Sequence, residues 1–224
     1  MTARSASPDQ LRLPLQRDLP AGEAGFVVSD SNRAAVDLLA NWPNALGGVM
    51  ALCGPAGSGK SHLAQVWAER VGALPLDGAE AAFADPMEME GRPVLLDRAT
   101  DTDDETLFHL INLAQAPGGA LLLVSRGAPS AWTIQLPDLR SRLDAVVTVP
   151  LEAPDDRVLA AILTARFAER SIAAPQDAID YLVRRIDRSA EAAALVVARL
   201  DALHRPVTRA LARQVLEESA SLFD

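Results

Sequence analysis

The segment GPAGSGKS at 54–61 constrains the fold of this chain more than any other feature. It fits the pattern G-x-x-x-x-G-K-[S/T], in which glycines let consecutive backbone N–H groups turn inward around a polyphosphate. The apolar run before it predicts a buried strand over 48–53, and the residues after it predict a helix over 60–71. The positive end of that helix would point at the same phosphates. The alternative is a glycine-rich turn without a ligand, and the coincidence of motif and flanking elements argues against it.

The lysine of this motif is chemically distinctive. Lys60 is the only lysine among the 21 basic residues of the chain, and all the others are arginines. A compact ammonium suits contact with the β- and γ-phosphates, and the Ser61 hydroxyl is expected to bind Mg²⁺. The predicted nucleotide contacts of the loop are Gly54, Pro55, Ala56, Gly57, Ser58, Gly59, Lys60 and Ser61.

An acidic residue ends the next predicted buried strand, PVLLD at 93–97. In a phosphate-loop site this residue, Asp97, is expected to bind Mg²⁺ together with Ser61. An aspartate at a strand end also serves as a helix cap or a turn residue. Arg98 occupies the next position, where many hydrolysing enzymes of this kind carry a carboxylate that orients the attacking water. Because a guanidinium cannot accept a proton, we expect intrinsic hydrolysis to be weak or absent.

Buried strands alternate with helices through most of the 224 residues, and the pattern T-x-x-E at 102–105 predicts a capping box for one of these helices. This order predicts an α/β fold with a parallel sheet covered by helices on both faces. After the last predicted strand, amphipathic helices alone remain, separated by proline or short polar breaks. We therefore divide the chain into a flexible tail over 1–20, an α/β nucleotide-binding base over 21–152 and a small all-helical lid domain over 153–224.

Charge and apolar pattern disfavour other classes of protein. The net charge of −9 argues against dominant, direct binding to duplex DNA. Apolar runs stay below membrane-spanning length and the N-terminus lacks the apolar core of a signal peptide, so the chain is expected in the cytoplasm without a membrane partner. The single cysteine, Cys53, excludes an internal disulfide and is typical of a reducing compartment.

The order of motifs resembles the AAA+ family of P-loop NTPases, and in particular its DnaA branch. A third predicted strand ends in VSR at 124–126, LPDLRSRLD follows at 136–144, and the helical lid comes last. The resemblance implies that Arg142 is an arginine finger, which stabilises charge on a nucleotide held by an adjacent subunit, with Arg140 as its basic neighbour. Surface ion pairs are the alternative explanation for two arginines on a short helix.

The same resemblance assigns further contacts with the nucleotide. FVVSDSN at 26–32 is similar to the segment that closes over adenine, although core packing explains its apolar residues almost equally well. The second sensor position of the lid holds Glu191 instead of an arginine, so Arg188, one turn earlier, is the expected substitute. The other implied contacts, of which the last is the first sensor, are Phe26, Val27, Asn32 and Ser125.

The tail carries QLRLPL at 10–15, whose alternate leucines face one side when the chain is extended. Pro14 restricts the preceding residue to extended geometry and lowers the ordering entropy on binding. Short motifs of this kind dock leucines into a preformed apolar groove. A strand added to this protein's own sheet, or leucines present by chance, are the alternatives.

Within the DnaA branch, the chain resembles the Hda-type regulatory inactivators of DnaA from QLRLPL to IDRSAEAAALVVARLDAL at 186–203, and it ends where DnaA continues into a DNA-binding domain. The resemblance implies an adaptor, with ADP or ATP and Mg²⁺, that presents Arg142 to ATP held by DnaA and so suppresses re-initiation of replication. DNA would be reached only indirectly, through the sliding clamp, and a homodimer is compatible with the resemblance. The implied clamp contacts are Gln10, Leu11, Leu13, Pro14 and Leu15.

Two other functions fit the same residues. One is a self-sufficient AAA+ ATPase, such as a helicase loader or a clamp-loader-like subunit, against which Arg98 and Glu191 argue. The other is a clamp-associated scaffold whose nucleotide only stabilises the fold. Steady-state ATPase activity distinguishes the first from an adaptor, and the effect of Arg142 on DnaA distinguishes the second.

Overall fold

A five-stranded parallel sheet organises the part of the chain before the lid. The structure is a computed structural model and describes residues 27–43 and 48–220. The strands are β1 (Gly48–Cys53), β2 (Leu74–Asp77), β3 (Pro93–Asp97), β4 (Ala120–Ser125) and β5 (Val147–Pro150). They are hydrogen-bonded in the order β2-β3-β4-β1-β5, and every pair is parallel. The predicted α/β fold with a parallel sheet is confirmed.

The helices fall into two groups. Those of the sheet region are α1 (Arg33–Ala40), α2 (Lys60–Val71), α3 (Pro86–Met89), α4 (Asp104–Ala114) and α5 (Pro137–Asp144). Those that follow the sheet are α6 (Asp156–Glu169), α7 (Gln176–Val183), α8 (Ala190–Ala202) and α9 (Arg209–Ala220). The second group packs around an apolar core of its own, with Leu159, Phe167 and Leu182 fully buried, as predicted for a helical lid.

The start of α4 differs from the prediction. The capping residue is Asp103 rather than Thr102, because the Asp103 carboxylate accepts the Thr106 N–H at 2.9 Å and the Thr106 hydroxyl at 2.7 Å. These hydrogen bonds lower the pKa of Asp103. A carboxylate is favoured here because it also interacts with the positive end of the helix, which a threonine hydroxyl cannot do.

The sheet separates two apolar cores because its strands are buried on both faces. Leu52 and Leu122 pack with α1 and α2 on one face, whereas Leu121 packs with α4 and α5 on the other. Trp67 of α2 stacks on Trp42 with ring centroids 5.0 Å apart, and its Nε1–H donates to the Trp42 carbonyl at 2.9 Å. Burial on both faces explains why these strands read as apolar runs rather than as alternating polar and apolar residues.

The carboxyl ends of the strands meet at one edge of the sheet, and the sequence motifs lie there. Cys53, the last residue before the phosphate loop, pairs with Ser125 in the register of β1 and β4. Asp97 ends β3, on the other side of β4. The phosphate loop and two predicted polar contacts therefore converge at this edge, where open α/β sheets bind their ligands.

Some predicted residues have no structural description. Among the residues that the structure does describe, no helix has the length and apolar character needed to cross a membrane. The predicted residues that lie outside the described ones are Gln10, Leu11, Leu13, Pro14, Leu15 and Phe26.

Candidate nucleotide-binding site

Lys60 is folded back over the phosphate loop. It is only 8% exposed, and its Nζ donates hydrogen bonds to the Pro55 carbonyl at 2.6 Å and to the Ser58 hydroxyl at 3.3 Å. Burial lowers the pKa of the ammonium, while the charge of Asp97 acts in the opposite direction. A partly desolvated cation with nearby backbone N–H groups is the arrangement that favours a phosphate ligand.

Arg126 adds a cation to this edge that the motifs did not predict. It follows Ser125 at the end of β4 and lies near enough to Lys60 for the like charge to lower the pKa of the ammonium. The Ser125 hydroxyl donates to the Gly127 carbonyl at 2.7 Å, which fixes the turn that carries Arg126. A signal was present in the sequence, because the arginine directly follows a buried strand that ends at the phosphate edge.

Ser61 and Asp97 supply the kind of oxygen atom that Mg²⁺ prefers. Ser61 is exposed in the first turn of α2. Asp97 is half-buried at the end of β3, and its Oδ1 accepts the Arg98 N–H at 2.8 Å. Since Mg²⁺ keeps several waters and takes one or two protein ligands besides substrate phosphates, these two residues fit such an ion at the phosphate loop.

Arg98 turns away from the phosphate loop. Its backbone is left-handed, with φ of 51°, and its Nε donates to Asp77 Oδ2 at 2.9 Å while a second guanidinium nitrogen also contacts that carboxylate. The hydrogen bonds hold the pKa of Asp77 below its usual range. Asp77 ends β2, and β3 and β4 lie between β2 and the strand that leads into the loop. The position after Asp97, where a water-orienting carboxylate is expected, is therefore occupied by an arginine whose side chain points to the far edge of the sheet.

The lid touches the phosphate loop directly. The Ala190 N–H, at the start of α8, donates to the Gly57 carbonyl at 3.0 Å, and the Ser189 hydroxyl caps this helix. Glu191, in the same first turn, is near enough to Lys60 to raise the pKa of the ammonium. The carboxylate at the predicted second sensor position therefore belongs to the charge environment of the loop.

Arg188 is bound at the start of the lid. Its guanidinium donates to Asp156 Oδ1 at 2.6 Å and to the Pro154 carbonyl at 3.2 Å. The side chains of the ion pair are 51% and 65% exposed, and pairs as exposed as this are weak enough to exchange partners. Contact between Arg188 and a nucleotide stays a prediction.

The segment predicted to close over adenine is tied to the lid. Asn32 is buried and closes a turn, since its Oδ1 accepts the Ser29 N–H and its amide donates to the Val27 carbonyl, both at 2.9 Å. Asp155 caps α6. Burial alone would raise the pKa of Asp155, but hydrogen bonds from the Ser29 hydroxyl and from backbone N–H groups leave it lowered. The turn and the first lid helix therefore share one junction, while base contacts of Val27 and Asn32 stay predictions.

Arg142 and Arg140, both on α5, have different partners. Arg142 donates from Nη1 to Asn112 Oδ1 at 2.8 Å, and its Cζ lies 4.6 Å from the centroid of the Phe108 ring, so α4 supports it. Since α4 and α5 pack on one face of the sheet and α2 on the other, Arg142 lies across the sheet from the phosphate-loop helix. Arg140 instead donates to the backbone carbonyls of Pro129, Ser130 and Trp132.

Replacing Gly57 with alanine is expected to displace the lid from the loop. Gly57 has φ of +69°, and an added Cβ would lie 2.5 Å from Ser189 Cβ and 3.1 Å from Ala190 N. Thermal denaturation with and without ATP should show a lower melting temperature and weaker nucleotide binding. Gly59→Ala is the control, because Gly59 has φ of +94° but open space around its Cβ. Without nucleotide, that control should lose stability only through its backbone strain, about 1–2 kcal/mol, and an equal loss of stability in the two nucleotide-free variants would refute a role for the lid contact.

The phosphate loop after β1, the acidic end of β3, the parallel sheet and the helical lid define the AAA+ class of P-loop folds. No model of a known protein family matches the chain. In sequence it is 31% identical over 123 residues to the chromosomal replication initiator protein DnaA of Thermomicrobium roseum, a match that covers 53% of this chain and 26% of that DnaA. The chain thus spans about a quarter of the length of this relative.

Solved structures share the fold at lower identity. Domain III of the Thermotoga maritima DnaA superposes with a TM-score of 0.73 at 18% identity, covering 88% of this chain and 96% of that one. AMPPCP-bound DnaA from Aquifex aeolicus gives 0.61 at 19%, covering 79% and 63%. The Holliday junction branch migration motor RuvB of Thermotoga maritima gives 0.63 at 15%, covering 88% and 72%. The chain therefore has the AAA+ fold and is similar in sequence to DnaA over about half its length.

Proposed function

We propose that this protein is a nucleotide-bound adaptor that stimulates hydrolysis of DnaA-bound ATP and so acts as a negative regulator of DNA replication initiation. The observation that carries the proposal is the placement of Arg142, which α4 supports on a face across the sheet from α2. The sheet separates this guanidinium from the helix that follows its own phosphate loop, and in the proposal it serves a nucleotide on another subunit. Sequence similarity to a replication initiator supports DnaA as that subunit.

The base binds ADP or ATP with Mg²⁺ in this proposal. Lys60 contacts the β- and γ-phosphates, and Ser61 and Asp97 supply oxygen ligands to the metal. Two observations support this assignment: the Lys60 ammonium is hydrogen-bonded within the loop, and the Asp97 carboxylate is near enough to raise the pKa of that ammonium. AMPPCP bound to a DnaA of the same fold supports a nucleotide as the ligand. The bound nucleotide sets the relative conformation of the base and the lid, which meet where the Ala190 N–H donates to the Gly57 carbonyl.

Intrinsic hydrolysis is weak in this proposal because the residue after the metal ligand Asp97 is an arginine, which cannot accept a proton. The residue after Asp97 is a guanidinium that is bound to Asp77, at the far edge of the sheet. Glu191 adds a negative charge near Lys60, which repels a nucleotide polyphosphate. These two side chains favour an adaptor over a self-sufficient ATPase.

Catalysis belongs to the complex with DnaA. As the γ-phosphoryl group of the DnaA-bound ATP transfers to water, negative charge builds on its oxygens. The planar guanidinium of Arg142 donates hydrogen bonds to those oxygens and stabilises the transition state more than the ground state. The Phe108 ring and the Asn112 amide hold the guanidinium in one orientation, which reduces the entropy lost when it engages the phosphate.

The tail places the adaptor at the replication machinery. In the proposal, Gln10 and the leucines of QLRLPL dock on the sliding clamp, and DNA is reached only through that clamp. Loading of the clamp then signals that replication has begun. The protein acts in the cytoplasm, with the base over 21–152 and the lid over 153–224, and a homodimer is an allowed assembly.

The test of this function is hydrolysis of DnaA-bound ATP, measured with and without clamp-loaded DNA, ADP and this protein. The adaptor requires acceleration only when both the clamp and this protein are present. Steady-state ATPase of the protein alone should stay well below about one turnover per second, the low end of ordinary enzyme rates. Faster turnover without DnaA would establish the self-sufficient ATPase instead.

Replacing Leu13 with alanine should abolish capture of the protein on the immobilised clamp. Truncation removes an apolar anchor, and two to three kcal/mol of lost burial is enough to weaken a short peptide by roughly 30- to 150-fold. Leu19→Ala, in the same tail but outside QLRLPL, is the matched control and should be captured normally. Nucleotide affinity should be unchanged in both variants. Normal capture of Leu13→Ala would show that the motif does not bind the clamp.

A further inference from the structure

A groove in the lid gathers guanidinium groups around one tyrosine. It runs between α7 and α9, has a volume of about 690 Å³ and is lined by Tyr181, Arg185, Arg209, Ala210, Arg213 and Glu217. Three of these residues are arginines and one is acidic, so the groove is positive in a chain whose net charge is −9. We propose that this groove binds the phosphodiester backbone of a nucleic acid.

Tyr181 arranges two of the guanidiniums. The Cζ of Arg185 lies 3.9 Å from the centroid of the tyrosine ring, and that of Arg209 lies 5.6 Å from it. Stacking uses the flat face of a guanidinium and leaves its in-plane N–H groups free to donate to phosphate oxygens. Because the ring itself packs against the lid core, the two arginines lose less freedom on binding than unsupported surface arginines would.

The charges of these arginines are available to an anion. In the described part of the chain, Arg185 and Arg209 form no ion pair with an acidic side chain, whereas Arg213 pairs with Glu217 at 2.9 Å. The Arg213 and Glu217 side chains are 65% and 64% exposed, so water screens their pair and a phosphate can compete for the guanidinium. Arg209 and Arg213 stand about 6 Å apart along α9, a spacing similar to that of successive phosphates along a strand.

The apolar residues of the lid favour a nucleic acid over a membrane. A helix that binds a lipid surface inserts an exposed apolar face beneath its charged face. The apolar residues Leu211 and Val215 of α9 are instead buried in the lid core. Tyr181 is half-buried and Ala210 is small, so the groove also offers little apolar surface to anchor a protein partner. Phosphates need only the donors and the positive charge that the groove provides.

This contact changes the proposed function on one point, because the clamp would still bring the protein to DNA but the lid would then touch the nucleic acid directly. The net negative charge of the chain opposes binding to nucleic acid, so we expect the contact made by the lid groove to be weak and sensitive to salt. A lid that holds the phosphodiester backbone would orient the α/β domain of the protein relative to the bound nucleic acid.

The test uses the full chain and the fluorescence anisotropy of a labelled single-stranded oligonucleotide and of the matching duplex over a series of salt concentrations. The double variant Arg185→Gln/Arg209→Gln should bind at least about 10-fold more weakly, and the slope of log K against log salt should fall by roughly 1.4–1.8. The matched control Arg33→Gln/Arg92→Gln removes the same charge from exposed sites of the base and should bind like the wild type. Comparing the affinity for the single-stranded oligonucleotide with the affinity for the duplex tells which of the two the groove binds.

Equal weakening in the lid variant and in its control would overturn the proposal, because net charge would then govern binding. Failure of the wild type to bind either oligonucleotide at low salt would overturn it as well, and so would tighter binding to phosphatidylglycerol vesicles or to a polyglutamate peptide. Tyr181→Leu keeps an apolar side chain in the lid but removes the stacking surface. It should weaken oligonucleotide binding about 3-fold, the scale of an exposed cation–π contact, and thermal denaturation should show that the variant is still folded at the temperature of the assay.

Discussion

Replacing Arg142 with alanine is expected to lower the rate of hydrolysis of DnaA-bound ATP in the full complex by about 10³-fold or more, the range measured when an arginine finger is removed. The loss arises because the guanidinium stabilises charge that develops only in the transition state. The measurement is the single-turnover conversion of DnaA-bound ATP to ADP in the presence of clamp-loaded DNA. Clamp binding and the melting temperature of the variant should match those of the wild type, since the Arg142 side chain is partly exposed and its hydrogen bond to Asn112 and its stacking on Phe108 are both with the surface of α4.

Two further substitutions sharpen this result. Arg142→Lys keeps a positive charge but loses the planar fork, so it should recover only a small part of the rate. Asn112→Ala removes the hydrogen bond that orients the guanidinium but keeps the Phe108 ring, so it should lower the rate less than Arg142→Ala and leave clamp binding intact. A fully active Arg142→Ala complex would instead support the clamp-associated scaffold, in which the nucleotide only stabilises the fold.

Replacing Lys60 with alanine is expected to weaken ATP and ADP binding by about 10- to 100-fold, the effect of losing one or two charged hydrogen bonds to phosphate. Isothermal titration calorimetry of the purified protein measures this directly. Lys60→Arg keeps the charge but puts a planar group into a loop shaped around an ammonium, so it should recover little affinity. If Lys60→Ala binds nucleotide as tightly as the wild type, Lys60 does not contact the phosphates.

The pH dependence of binding gives the same prediction an independent readout. Burial lowers the pKa of Lys60 in the free protein, and a bound polyphosphate should raise it again by Coulomb attraction. The contribution of Lys60 to the affinity should therefore be constant at pH values below the free-state pKa and should fall as the pH rises from that value towards the bound-state pKa. Lys60→Ala should lose this alkaline decline, because the titrating group is gone.

The sequence predicted the strands and the phosphate loop well because those features are local. A buried strand, a glycine loop and a helix follow one another in a single segment, so the pattern over 48–71 was sufficient to place all three. The prediction for the start of α4 was wrong because Thr102 and Asp103 are both good caps, and only the hydrogen bond to Thr106 distinguishes them. The position of Arg126 after a buried strand is visible in the sequence, but its proximity to Lys60 depends on β4 lying beside β1, and that pairing is decided by the tertiary structure.

The amino-acid sequence by itself determined the AAA+ layout: a parallel sheet, a phosphate loop with a single lysine, an acidic strand end and a helical lid. Tertiary structure alone decided which side chains meet. It directs Arg98 to Asp77, it holds Arg142 against Phe108, and it brings Arg209 to Tyr181 in the lid. The physical reason is that hydrophobic periodicity and turn chemistry are encoded within a few neighbouring residues, whereas these contacts join residues that come together only when helices and strands pack.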